Sequence, residues 1–96
     1  MADFEAELWL YPGDVGWCFL TLPLDLSDDL REQTDGRRAG FGSIRVDVRV
    51  GATSWSTSLF PDKATGAYLL PVKKPVRLAE ELEVGDLVAV ELTVAG

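Results

Sequence analysis

Five side chains in one stretch of this chain have the chemistry to hold an anion. Residues 57 to 77 read "TSLFPDKATGAYLLPVKKPVR", and Lys73, Lys74 and Arg77 crowd around Pro75 with no acid among them. Ammonium and guanidinium groups attract phosphate or carboxylate, and the free N–H groups of a first helical turn favour the same charge. Ser58 and Tyr68, earlier in the stretch, add hydroxyl donors. The expected chemistry is binding of a small anionic ligand by Lys73, Arg77, Lys74, Ser58 and Tyr68. The competing reading is a solvated basic face, or pairing with acids elsewhere. The segment would then only start a helix, a job that Pro75 does with its preset backbone angle.

Catalytic chemistry finds less support. There is no histidine, so the commonest general base and metal ligand is missing. The single cysteine, Cys18, lies in an apolar run with no sequence neighbour to lower its pKa, and reads as a buried, inert thiol. No Cys/His spacing suggests zinc, and no cofactor is expected. Acid pairs such as Asp28-Asp29 and Glu80-Glu81 fall at helix positions and read as solvated faces. "GRRAGFGSIRV" (36–46) lacks the third glycine of a dinucleotide loop, since Arg45 stands there, and a strand follows where a helix is required. Its Gly40-Phe41-Gly42 triplet also fails as an RNA-recognition signature, because Ser43 and Val46 occupy the positions that should carry stacking aromatics. Phe41 reads as a lid over the core. The protein is expected not to be an enzyme.

Charge and length bound the remaining roles. The 96 residues carry a net charge of −7. Residues 1–36 hold nine acids and one base, residues 37–78 eight bases and two acids, and residues 79–96 five acids and no base. The overall sign repels nucleic acid at long range, while the basic middle leaves room for a local anion site. No apolar run approaches the roughly 18–20 residues needed to span a bilayer. The acidic start "MADFEAELWLYPGD" lacks the basic opening of a signal peptide, and one cysteine suits a reducing compartment. A cytoplasmic, monomeric, single domain over 1–96 is expected.

The elements that must position these side chains are mostly strands. "FEAELWLY" (4–11) and "SIRVDVRV" (43–50) alternate, as half-buried strands do. "WCFLTL" (17–22) is apolar on both faces and predicts a strand covered on both sides. "TSWSTSLF" (53–60), "AYLLPV" (67–72) and "LVAVELTV" (87–94) complete six strands, with Val46, Val48, Leu69, Val88 and Val90 in the core. Ser27 is expected to cap a first short helix, and a second runs roughly from Pro75 to Leu82. Arg45 and Arg49 would face Glu5 and Glu7 on a neighbouring strand, with Trp9 partly exposed beside them. Leu22-Pro23 and Leu70-Pro71, 48 positions apart, each end a strand, precede a helix and lead through glycine into a valine-rich strand. Halves this short must share one core, which predicts a closed six-stranded barrel without exposed edges.

These residues resemble a family. Thr57, Ser58, Leu59, Pro61, Tyr68, Leu69, Pro71, Val72, Lys73, Arg77, Gly85 and Asp86 fit the pattern of a bacterial family of small domains of unknown function. Trp17, Phe19 and Pro23 fit its first half. The resemblance implies a mainly β, double-split barrel with a pseudo-two-fold repeat and two short helices, found alone or fused to a bacteriocin-protection-type domain. It brings no catalytic or ligand residues with it. The barrel is similar to that of AbrB-type DNA-binding dimers, which gives DNA binding as the alternative function, disfavoured by the net charge.

Overall fold

A computed structural model describes residues 2–13, 16–36 and 42–95. Seven strands and two helices follow in the order β1 (Ala2–Glu7), β2 (Trp9–Leu10), β3 (Cys18–Thr21), α1 (Leu24–Gln33), β4 (Ile44–Val50), β5 (Thr53–Pro61), β6 (Tyr68–Pro71), α2 (Lys74–Ala79) and β7 (Leu87–Val94). The strand order is β1-β7-β4-β5-β6-β3-β2, and every pairing is antiparallel. The two outermost strands, β1 and β2, are separated only by Leu8, so the sheet curls back to its own start as a nearly closed barrel.

Among the described residues there are seven strands, not the expected six, because the first strand breaks at Leu8. The Leu8 N–H donates to the Asp86 carbonyl at 2.9 Å, and its carbonyl accepts from the Gly85 N–H at 2.8 Å. The turn before β7 thus satisfies the backbone that leaves both ladders, and the Leu8 side chain fills the interior. On the far side β5 is shared as well. It pairs with β4 through Leu59 and with β6 through Phe60 and Pro61.

The interior follows the alternation where alternation is clean. Ile44, Val46, Val48 and Val50 of β4 are buried, as are Val88, Val90 and Leu92 of β7. Leu69 departs from expectation: it is half-buried, while its neighbours Tyr68 and Leu70 are inside. "AYLLPV" is apolar at almost every position, so its parity could not be read from pattern. Strand β3 is not covered on both sides by packed layers. Cys18 and Leu20 point inward, whereas Phe19 lies half-buried under rings from its own hairpin.

Helix α1 starts earlier than expected. Pro23 is its N-cap residue, and the Ser27 N–H already bonds back to the Pro23 carbonyl at 2.9 Å. Ser27 therefore sits one turn in, fully buried, and its Oγ accepts the Tyr68 N–H at 3.0 Å. It serves strand β6 where it was expected to cap the helix. Strands β3 and β6 pair about Leu20 and Leu70. Beyond that ladder the Leu22 N–H donates to the Tyr68 carbonyl at 2.9 Å, and the Val72 N–H to the Cys18 carbonyl at 3.0 Å. This exchange matches Cys18 with Tyr68 and Leu22 with Val72, a shift of 50 positions. Pro23 consequently corresponds to Lys73, not to Pro71 as the 48-residue spacing predicts.

Candidate functional site

The basic residues meet at one end of the β3–β6 pair. Strand β6 ends at the buried Pro71, and Lys73 caps the six-residue helix α2. Strand β5 brings Ser58 alongside, and Arg45 stands directly opposite it on β4, its Nη1 donating to Ser58 Oγ at 3.4 Å. Ser58, Lys73, Lys74, Arg77 and Arg45 thus line one groove of about 660 Å³, with Gly16, Trp17 and Cys18 along its other flank. This volume lies within the roughly 300–1,000 Å³ typical of small-molecule sites. None of the described lining residues is acidic.

Tyr68 does not join them. Its side chain is only 2% exposed, and the Arg31 guanidinium of α1 lies 5.1 Å from the ring centroid. Arg31 also donates to the Gly66 carbonyl at 2.7 Å and pairs with Asp28 at 2.9 Å. Tyr68 belongs to the packing of α1, on account of the parity that also misplaced Leu69.

Arg77 combines two roles. Its Nη2 donates to the Gly16 carbonyl at 2.9 Å, which ties α2 to the turn before β3. Its Nε is shielded from solvent and has no hydrogen-bond partner. A buried donor left unpaired costs about 1–3 kcal/mol, and with no solvent access this N–H belongs to the packing under α2 and not to the groove surface. Lys73 and Lys74 are exposed, and among the described residues no side chain pairs with either ammonium group.

An aromatic cluster adjoins the cations, and sequence reasoning missed it. Trp9 and Phe19 are register partners on β2 and β3, with ring centroids 5.4 Å apart. Tyr11 meets Phe19 edge-on at 5.9 Å, and Trp17 stacks on Phe19 at 6.2 Å with 22° between planes. Trp9 Nε1 donates to Thr21 Oγ1 at 2.9 Å, fixing that indole. Trp17 nevertheless remains 56% exposed. Trp17 and Phe60 line both the basic groove and a second hollow of about 370 Å³ over Trp9, Tyr11 and Phe19. The available signal was the hairpin "WLYPGDVGWCF", which places outward aromatics at 9, 11, 17 and 19 on facing strands.

The expected pairing of Arg45 and Arg49 with Glu5 and Glu7 is not what the topology allows. Strand β7 intervenes between β1 and β4, and Arg49 lies opposite Glu91. Arg45 is left to the groove. Gly40 and Phe41 lie outside the described residues.

The sequence profile of the domain of unknown function DUF1905 matches residues 4–92. The chain belongs to the DUF1905 family. No similar sequence was found among curated proteins. Among the described residues of this DUF1905 chain no helix is long and apolar enough to cross a membrane. No group of three or more His, Cys, Asp or Glu side chains among them is placed to hold a metal ion.

Proposed function

We propose that this DUF1905 chain is a non-catalytic, cytoplasmic binding module that holds a small anionic ligand, a phosphate or carboxylate, in the groove beside α2. The observation that carries the reading is the convergence of Lys73, Lys74, Arg77 and Arg45 on one concave surface without an acid. The first turn of α2 is too short a helix to carry the site, so the side chains do. Ser58 adds a hydroxyl, and Tyr68 acts only through packing.

The frame proposed for this module is a monomeric double-split barrel of AbrB type, whose halves are related by a pseudo-two-fold axis. The reciprocal bonds at Leu22 and Val72 support that description, as does the sharing of β5 between β4 and β6. A fusion to a bacteriocin-protection-type domain remains an expectation of the resemblance. Duplex DNA is the weaker occupant. The net charge of −7 opposes a long polyanion, and the helix corresponding to α2 carries Asp25, Asp28 and Asp29.

Calorimetric titration with inorganic phosphate, citrate and a sugar phosphate tests the proposal on the wild type beside Lys73→Ala/Lys74→Ala. Binding should weaken at least about tenfold in the double variant, with an unchanged melting temperature, since neither ammonium is paired in the fold. Equal affinities, or no binding of any anion by the wild type, would remove the groove from consideration.

A further inference from the structure

We infer that the anion held by this groove carries a nucleobase: the ligand is a mononucleotide, its phosphate at Lys73 and Lys74 and its base against Trp17. The inference rests on the anion-binding reading above and adds the aromatic half of the ligand. A tryptophan more than half exposed is unusual only if it is also fixed, and Trp17 is fixed on both sides. Its ring stacks on Phe19, its carbonyl accepts the Tyr11 N–H at 2.8 Å, and the preceding Gly16 carbonyl is held by Arg77. The indole is therefore presented in a set orientation, at the rim it shares with the cations. A flat ring stacks there without the ordering cost of a loose side chain.

The two halves of the barrel give an internal comparison. Across the exchange that matches Cys18 with Tyr68, a guanidinium bonds the matching glycine carbonyl in each half, Arg31 that of Gly66 and Arg77 that of Gly16. The two arginines reach it from different helix positions, and in the second half the Tyr68 ring lies beneath the guanidinium. In the first half the same position holds the much smaller Cys18, which lines the groove, and among the described residues no ring of the chain lies over Arg77. One position earlier the relation reverses: Ala67 is buried, and its counterpart Trp17 stands outside. The second half fills its guanidinium–ring space from within the chain. In the first half no described ring covers Arg77, and the groove it lines with Cys18 ends at the exposed Trp17, which suits a ring supplied by a ligand. The groove and the adjoining hollow share Trp17 and Phe60, so base and phosphate can span them. Four cations on a chain of charge −7 suit a compact nucleotide better than a long strand.

The test uses the full chain, with AMP, GMP, CMP, UMP, ribose 5-phosphate and a six-nucleotide single-stranded DNA as probes, by calorimetry and tryptophan fluorescence. At least one mononucleotide should bind about ten- to hundredfold more tightly than ribose 5-phosphate, the gain expected from one base–aromatic stack. Trp17→Leu should erase that advantage and leave ribose 5-phosphate binding unchanged, and Phe60→Leu gives an independent variant of the same rim. Lys73→Ala/Lys74→Ala should weaken nucleotide and sugar phosphate together. Equal binding of nucleotides and ribose 5-phosphate would overturn the nucleobase while leaving the anion site standing. A nucleotide advantage that survives both ring variants would overturn it too, as would a hexanucleotide far tighter than any monomer. Failure of every probe, inorganic phosphate included, would end both readings.

Discussion

Ser27 is a polar side chain with no solvent access, and it is tolerated because the Tyr68 N–H donates to its Oγ. Replacing it by alanine strands a buried backbone donor. Ser27→Ala should therefore lose about 1–3 kcal/mol in urea unfolding, although alanine is the better helix former. An unchanged midpoint would mean that water reaches the amide. Arg77 presents the opposite case, a charged residue whose fold contact is one bond to a carbonyl. Arg77→Ala should loosen the turn that carries Trp17, read as faster exchange of the Tyr11 amide and a red-shifted indole emission. Protection equal to the wild type would limit Arg77 to the groove. At this scale the sequence was legible for charge and silent for distance. Lys73, Lys74, Arg77 and Ser58 do gather, because a strand end and a helix start compress them. Tyr68 does not, because a run of apolar residues conceals which side chains face inward.

Elements end as clearly as they begin. Helix α2 closes with the Leu82 N–H bonded to the Arg77 carbonyl at 2.8 Å and the Glu81 N–H to the Leu78 carbonyl at 3.4 Å. Glu81, between them, has φ +54°, the left-handed region that favours glycine. Glu81→Gly should raise stability by about 0.5–1 kcal/mol, contrary to the usual effect of glycine. Gly51, in the β4–β5 turn, is bound by the same rule and by crowding. Its φ is +57°, and a Cβ there would run into the Glu80 carboxylate, which also accepts from Thr53 Oγ1 at 2.6 Å. Gly51→Ala should destabilise by more than about 1 kcal/mol, and a thermal melt at the wild-type temperature would show that Glu80 moves aside freely. Strand β4 was readable because charged and apolar residues alternate along it, and β7 because Glu91 and Thr93 alternate with Val90, Leu92 and Val94. The break at Leu8 was not, because it depends on a turn that arrives 77 residues later at Gly85.

For the molecule as a whole, closure rests on the first ten residues. Strand β1 covers β7 and β2 covers β3, so one interrupted segment joins the two outer edges. Removing residues 2–10 exposes both edges and withdraws Phe4 and Leu8 from the interior. The truncated chain should lose its cooperative calorimetric transition; a sharp melt near the parent temperature would show that closure contributes little. That a barrel forms was foreseeable from two short halves that must share a core. Its strand count was not, since the break has no local signature. The same arrangement also sets an order of assembly during synthesis. Strand β7 is the last made, yet it inserts between β1 and β4, which have waited without that partner. The aromatic and basic surface is built from elements that leave the ribosome earlier, up to α2. A nascent chain can thus display its candidate ligand groove while the opposite wall is still a gap. Until β7 emerges, two unpaired strand edges are what the cell's chaperones would meet.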